Sequence, residues 1–221
     1  MKEFYDEDGE KNVGKYKFGM PHGKWKTYYK SGELKLIRNF SFGELYGKYE
    51  ALYKNGQIQA TGTCCNNLKE NEWIYFYENS KIKTKGNWDN NLKNGEWIYY
   101  DKDGDIETKC FYIKGTIEGK KTHFHKNGII KLEYCYRENQ LNGESKEYYE
   151  NGTLKIESFY KDNKLNGEFK EFTLEGKLMF KSYYFQGKKE GKEEWFFPSG
   201  ELMKVLEYKK GKIIKEINCK Y

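Results

Sequence analysis

Apolar and aromatic side chains recur at fixed positions of a 24-residue period along this chain. Counted from the residue that marks each period, position 5 is apolar or aromatic, position 11 is Leu or Ile, and position 17 is aromatic in all periods but one. The marking residues, at position 0, are Gly23, Gly47, Asn71, Gly95, Gly119, Gly143, Gly167 and Gly191. A fixed period of this length is typical of stacked repeat proteins, and its strict positions predict core rows at positions 5, 11 and 17.

Each period predicts two antiparallel strands joined by tight turns. The segment from position 0 to position 9, GKWKTYYKSG in the first period, is rich in aromatic residues and ends at a second glycine. The next segment alternates from position 11 to position 17 and ends at a Gly or Asn four residues before the following marker. Gly and Asn both tolerate the left-handed backbone of hairpin turns. We therefore predict an all-β fold, an elongated, twisted antiparallel meander of about eight stacked hairpins with solenoid-like character.

The unbroken period predicts a single repeat domain over residues 1–221. Residues 19–214 hold the eight repeats, residues 1–18 a partial capping repeat, and residues 215–221 a truncated last repeat. Phe4 falls on an apolar position of the repeat that would precede the first. Two interpretations stay open: the N-terminal segment caps the repeats, or the ends simply fray.

Composition and charge narrow the classes of function. An aromatic fraction of 18% supplies core material despite a mean hydropathy of −1.05. The net charge of +6 is spread without a basic stripe, so we expect no nucleic-acid partner, and a membrane surface is a less favoured partner than a protein. With no long apolar stretch, no signal peptide in the sequence and an odd number of cysteines, we expect a cytoplasmic protein with reduced thiols. The cysteines are Cys64, Cys65, Cys110, Cys135 and Cys219.

The unit Tyr-Tyr-x-x-Gly-x-Leu followed by Tyr-x-x-Gly-x-x-x-Gly resembles the MORN repeat in its bacterial variant form. Its clearest copies are YYENGTLKIESFYKDNKLNGE at residues 148–168 and YYKSGELKLIRNFSFGELYGK at residues 28–48. A chain built only of such repeats is similar to the bacterial YwqK-type proteins, which are often labelled antitoxin or immunity components. The resemblance implies a β-hairpin array that binds another protein, and it implies no catalytic residues, cofactor or metal.

The candidate binding residues lie at positions 2 and 6 of the first four repeats. Because strand residues alternate between faces, position 2 lies opposite position 5, and position 6 is expected on the face of position 2. This candidate binding face comprises Trp25, Tyr29, Tyr49, Tyr53, Trp73, Tyr77 and Trp97. Two interpretations stay open: exposed rings could bind a protein partner, or the same rings could cover the second face of a thin sheet.

Three local departures from the pattern suggest other chemistry. His123 and His125 form an H-x-H pair that could ligate a metal or could be ordinary variation. Cys64 and Cys65 would point to opposite faces of a strand, which disfavours a redox pair. The third repeat lacks both glycines and carries a cysteine in the aromatic row, and we expect a local irregularity near residues 64–80.

The sequence therefore favours a non-catalytic protein–protein interaction scaffold, with neutralisation of a toxin as its specific version. The alternative is a ligand- or surface-binding module that uses exposed aromatic rings to hold an anionic lipid, a carbohydrate or a choline-like group. We expect no enzyme, because no general acid–base pair or nucleotide-binding loop is visible. The oligomeric state is left open.

Overall fold

Every regular element in the residues that the structure describes is a β-strand. The computed structural model describes residues 2–5 and 9–218. Its strands gather into two compact units that divide within one strand, Ile106–Ile113. Unit 1 comprises the described residues up to Ile106 together with Tyr112–Gly115, and unit 2 comprises Glu107–Phe111 and the described residues from Thr116 onward. The all-β prediction is confirmed, whereas the single domain and the elongated, twisted shape stay predictions.

In unit 1 the strands pair antiparallel in chain order, with one exception, which makes a meander of hairpins. Two short strands share one partner because the chain leaves the ladder at Tyr46, whose N–H donates instead to the Asn39 carbonyl at 2.9 Å. The strands are β1 (Lys2–Tyr5), β2 (Lys11–Lys17), β3 (Met20–Tyr28), β4 (Leu34–Ser41), β5 (Glu44–Leu45), β6 (Gly47–Leu52), β7 (Ile58–Cys65), β8 (Leu68–Phe76), β9 (Ile82–Asp89) and β10 (Leu92–Tyr100).

Unit 2 repeats the same antiparallel meander, and β11 (Ile106–Ile113) is the strand that the two units divide. The interruption of the ladder seen in unit 1 recurs in unit 2 at Glu190, whose N–H donates to the Tyr183 carbonyl at 2.9 Å. The other strands are β12 (Thr116–Phe124), β13 (Ile130–Arg137), β14 (Gln140–Tyr148), β15 (Leu154–Lys161), β16 (Lys164–Phe172), β17 (Leu178–Phe185), β18 (Lys188–Lys189), β19 (Gly191–Phe196), β20 (Leu202–Lys209) and β21 (Lys212–Asn218).

The two turns of each repeat explain two of its three glycine positions. Phe42 and Gly43, between β4 and β5, both have positive φ (46° and 90°), as a two-residue type I′ turn requires. Gly32 closes the other kind of turn at φ 101°, and its N–H donates to the Tyr29 carbonyl at 2.9 Å. These are the turns that the sequence predicts at position 9 and at the Gly or Asn four residues before position 0.

Most residues at position 0 lie inside strands, at bulges, whereas two of them begin the short strands β6 and β19. In β8, Ile74 pairs with Thr61 and Glu70 pairs with Thr63, so that residues 71–73 stand opposite one residue of β7. Asn71 takes φ 60° there, the left-handed conformation that glycine adopts in the other repeats. The third repeat therefore keeps the register of its neighbours, and the predicted irregularity near residues 64–80 is wrong.

The core lies on the face that carries positions 2, 4, 13, 15 and 17. In the first hairpin Gly23 pairs with Phe40 and Trp25 pairs with Arg38, which puts position 17 on the face of position 2. The predicted core rows at positions 5 and 11 are only half-buried, because a register shift after position 4 reverses the alternation before position 11 is reached. The buried apolar residues are Trp25, Ala51, Ala60, Cys64, Trp73, Trp97, Cys110, Phe180, Val205 and Leu206.

Strand β1 covers the first tryptophan. Phe4 pairs with Asn12, and its ring lies 5.4 Å from the Tyr16 ring and 6.3 Å from the Trp25 ring. These contacts are compatible with the capping role predicted for Phe4, which stays a prediction. Of the predicted end segments, residues 6–8 and 219–221, which include Cys219, lie outside the described residues.

Candidate binding site

Three tryptophans of position 2 lie against glycines of the preceding strand. A Cβ on Gly62 would come within 2.3 Å of the Trp73 ring, so only a residue without a side chain fits beneath that indole. The Trp73 Nε1–H donates to the Thr63 carbonyl at 3.0 Å. The pairs built in this way are Gly14 with Trp25, Gly62 with Trp73 and Gly86 with Trp97. Their indoles are 6%, 1% and 1% exposed, so the row closes the core rather than offering three exposed rings.

The sequence contains a signal for this packing that reading position 2 alone missed. In unit 1, position 2 is Trp wherever the facing position 15 of the preceding repeat is Gly. Where position 15 is Arg38, position 2 is Tyr49 instead. The covariation of ring size with a missing side chain indicates that the two positions share one volume.

The tyrosines of position 6 tie neighbouring repeats together. They were expected on the face of position 2, but they lie in the turns that follow the strands. The hydroxyl of each tyrosine donates to the backbone carbonyl 23 residues later. These bonds run from Tyr29 to Leu52 at 2.8 Å, from Tyr53 to Phe76 at 2.7 Å, and from Tyr77 to Tyr100 at 2.8 Å. The half-buried hydroxyls therefore act as links between repeats, and the candidate face is narrower than its seven residues suggest.

Two lysines, each two residues before position 0, have ammonium groups that lie among the aromatic rings of the core face. The Lys69 Nζ lies 4.6 Å from the Trp73 ring centroid and 4.8 Å from that of Trp88, and it donates to the Tyr75 hydroxyl at 3.1 Å. Lys93 repeats the arrangement, 4.2 Å from the Trp97 ring. Such contacts stabilise a cation on an aromatic face. Aromatic cages of this kind are thus already occupied by the chain's own ammonium groups.

One cleft opens on the core face of unit 1 where three core positions of one repeat hold small side chains. Ala51, Ala60 and Cys64 occupy positions 4, 13 and 17, which carry larger residues in most repeats. The cleft has a volume of about 530 Å³. Its lining comprises Leu45, Tyr49, Ala51, Tyr53, Gln59, Ala60, Cys64, Asn67, Lys69, Trp73, Tyr75, Phe76, Lys83 and Asn91. It brings together three of the seven predicted site residues, Tyr49, Tyr53 and Trp73. Tyr29 stays outside the lining and donates to the Leu52 carbonyl.

The cleft is positively charged. Lys69 is the second residue of β8 and Lys83 the second residue of the antiparallel β9, so the two lysines stand at opposite ends of the cleft. No carboxylate belongs to its lining within the described part of the chain. Burial raises the pKa of the Cys64 thiol and of the Tyr49 phenol, so both groups are neutral at physiological pH. The charge of the site is therefore that of its lysines.

Comparison with known families identifies the repeat. A profile of the MORN repeat variant matches residues 21–41, 69–90, 93–114, 141–162, 165–186 and 189–210. These segments cover more than half of the chain. The chain belongs to the MORN repeat variant family.

Part of the lining of the cleft in this MORN repeat protein lies outside the segments that the profile matches. The matched segments leave out residues 42–68, which contain Ala51, Ala60 and Cys64. A search of curated proteins found no match. Among solved structures, an alternansucrase in complex with isomaltononaose is similar at 15% identity and a TM-score of 0.22, over 87% of this chain and 16% of that chain.

Unit 2 of the MORN repeat protein separates the two histidines of the H-x-H pair. The His123 Nδ1 lies 3.0 Å from the Thr108 hydroxyl, and the His125 Nε2 lies 2.9 Å from the Tyr148 carbonyl. No cluster of three His, Cys, Asp or Glu side chains suited to a metal ion occurs in residues 2–5 and 9–218. Cys64 and Cys65 form no disulfide. The same residues include no helix long and apolar enough to cross a membrane.

Proposed function

We propose that this MORN repeat protein is a non-catalytic scaffold that binds another protein through the cleft of unit 1. The observation that carries the proposal is the coincidence of three small core residues, Ala51, Ala60 and Cys64, with walls of tyrosine and tryptophan. Clefts of a few hundred Å³ with aromatic walls and few polar groups are typical binding sites. Hydroxyl links between the repeats hold those walls in place before any partner arrives, which lowers the entropic cost of binding.

The specific version is neutralisation of a toxin in the cytoplasm, by covering the surface that the toxin uses. Its support is the family resemblance together with the unbridged thiols of Cys64 and Cys65, which suit a reducing compartment. No nucleic acid is required, because the positive charge at the cleft comes from two lysines rather than a basic stripe.

The alternative ligand-binding role is favoured only for anions. The ammonium groups of Lys69 and Lys93 already occupy the aromatic cages. No free cage is therefore left at these positions for a choline-like cation. An anionic lipid headgroup is compatible with the charge of the cleft. Vesicles of phosphatidylglycerol and phosphatidylcholine distinguish this alternative, since a lipid-binding module would pellet with the anionic vesicles alone.

The test of the scaffold is capture of a partner from a lysate of the native host, with variants at one residue. Ala60→Leu fills the cleft with a side chain that position 13 accepts at Leu36 and Leu132, and Ala60→Ser keeps it open. We expect a protein retained by the wild type and by Ala60→Ser but lost with Ala60→Leu. Growth arrest by that protein should be relieved by the wild type and by Ala60→Ser but not by Ala60→Leu. Equal retention by all three chains would contradict the proposal.

A further inference from the structure

A lysine stands two residues before position 0 in three repeats. In one of them the ammonium group and the side chains around it hold a carboxylate. In unit 2 this lysine is Lys189, which forms an ion pair with Glu193. The Glu193 carboxylate is 2% exposed and also accepts from the Trp195 Nε1–H at 3.3 Å and from the Tyr208 hydroxyl at 3.4 Å. A lysine ammonium with aromatic N–H and O–H donors thus holds a carboxylate in this fold.

In unit 1 the equivalent lysine lacks the carboxylate. Position 2 of the third repeat is Trp73 in place of Glu193, and Lys69 has no ion-pair partner among the described residues. Within the described residues the Lys69 Nζ donates one hydrogen bond, to the Tyr75 hydroxyl, which leaves other N–H donors of the ammonium group available. A half-buried ammonium group without a counterion gains from a charge-assisted hydrogen bond to an anion.

The cleft beside this ammonium group is lined by aromatic rings. Tyr49 and Trp73 lie 5.1 Å apart between ring centroids, Trp73 and Tyr75 lie 6.0 Å apart, and all three line the cleft. The floor is made by Ala51, Ala60 and Cys64. Tyr49 and Tyr75 are half-buried and offer ring surface to the cleft, whereas Trp73 is buried. Aromatic rings gain contact energy from edge-to-face or offset packing in such surroundings.

We propose that the cleft binds an aromatic side chain next to a carboxylate on a segment of the partner protein. The ring packs against Tyr49 and Tyr75, and the carboxylate accepts from the Lys69 ammonium group. This inference rests on the proposed function, because it takes the occupant from a protein. Charge complementarity decides the choice of an acidic segment, since the lining contributes two lysines and no carboxylate.

The first test uses the wild-type chain and three probes of one shape. Isotope-labelled protein is titrated with 3-phenylpropionate, with its neutral amide and with 3-phenylpropylamine, and amide shifts are followed by NMR. We expect shift changes in β6 to β9, with the carboxylate binding about tenfold tighter than the amide at low salt. Equal binding of acid and amide, or shift changes centred outside β6 to β9, would overturn the inference without any variant having to fold.

The second test uses two lysines in matched surroundings. Lys69→Met removes the charge at the cleft, and Lys93→Met removes the same charge in the next repeat, where the lysine does not line the cleft. We expect the preference for 3-phenylpropionate over the amide to vanish with Lys69→Met and to persist with Lys93→Met. Loss of the preference in both variants would contradict a specific role for Lys69.

A third arm separates this inference from the proposed function. The lysate capture described above is repeated with Lys69→Met, together with a competing peptide that carries adjacent Glu and Phe. A captured partner that Lys69→Met and the peptide leave in place contradicts the inference alone. Probe binding without any captured protein contradicts the proposed function and assigns the site to a free aromatic acid.

Discussion

The Trp73 indole lies against the backbone of Gly62, so closely that a Cβ on Gly62 would come within 2.3 Å of the ring. The bulge at Asn71 makes this contact possible, because residues 71–73 together face Gly62. The Lys69 ammonium group lies over the same indole at 4.6 Å. One ring thus couples a bulge, a missing side chain and a cation, and its position sets one wall of the cleft.

The first prediction concerns this contact. Gly62→Ala should lower the free energy of unfolding by about 2 kcal/mol, because the added methyl group overpacks the core. Urea unfolding followed by tryptophan fluorescence measures the change. Ser158→Ala, at the same position of the sixth repeat, adds no volume and should cost clearly less.

A double variant sharpens that prediction. Ser158 pairs with Phe169 in unit 2, so Gly62→Ser combined with Trp73→Phe copies a combination that this fold already uses. We expect the double variant to be more stable than the sum of the single effects predicts, by on the order of 1 kcal/mol. Strict additivity would show that the two residues do not compete for one volume.

The second prediction concerns the hydroxyl links between repeats. Tyr53→Phe removes the 2.7 Å hydrogen bond to the Phe76 carbonyl and should cost about 1 kcal/mol of stability. Thermal unfolding is a sufficient measurement. Tyr46→Phe is the control, since Tyr46 is exposed and its hydroxyl makes no described hydrogen bond. A similar loss in both variants would refute the linking role of Tyr53.

The third prediction concerns the buried carboxylate of unit 2. Glu193→Ala leaves the Lys189 ammonium group without its counterion and removes an acceptor from Trp195 and Tyr208. We expect a loss of about 3 kcal/mol. Glu216→Ala breaks the exposed pair with Lys204 and should cost less than about 1 kcal/mol. Equal losses would mean that burial of Glu193 adds nothing.

The fourth prediction concerns pH. Burial lowers the pKa of His123, and the nearby Lys121 lowers it further. The unfolded chain therefore binds this proton more readily, with a pKa of about 6.5. Stability from the neutral imidazole is present above that pH and is lost as the pH falls through the lowered pKa of the folded state.

His123→Gln should remove this dependence. The wild type should lose more stability than His123→Gln between pH 7.5 and pH 5.5 in urea unfolding, and His22→Gln should follow the wild type. A wild-type curve parallel to that of His123→Gln would count against the neutral, buried imidazole.

The repeat pattern was sufficient to predict the hairpins and their turns, because those depend on local backbone geometry. Gly43 (φ 90°) and Asn91 (φ 62°) occupy the same position in different repeats, because that position requires only a positive φ. The core face was harder. The register shift after Thr27 reverses the alternation by one residue, and no composition signal marks that shift in a single repeat.

The candidate site was only partly predictable. Trp73, Tyr49 and Tyr53 were named from the sequence, but their exposure was not foreseeable from position 2 alone. Lys69 was missed because lysine on a strand is ordinary, and its meaning comes from the rings around it. Cys64 was noticed as a gap in the aromatic row, and the cleft appeared only once Ala51 and Ala60 were found beside it.

The sequence by itself determined the repeat, the all-β hairpins and the turn positions, because glycine and asparagine constrain φ locally. The tertiary structure decided which face is the core, which rings are buried and where the cleft lies. Bulges and register set those features, and they depend on how the side chains of one strand fill the space left by the strand before it. Gly62 and Trp73 show this most directly, since the indole fits only because Gly62 has no side chain.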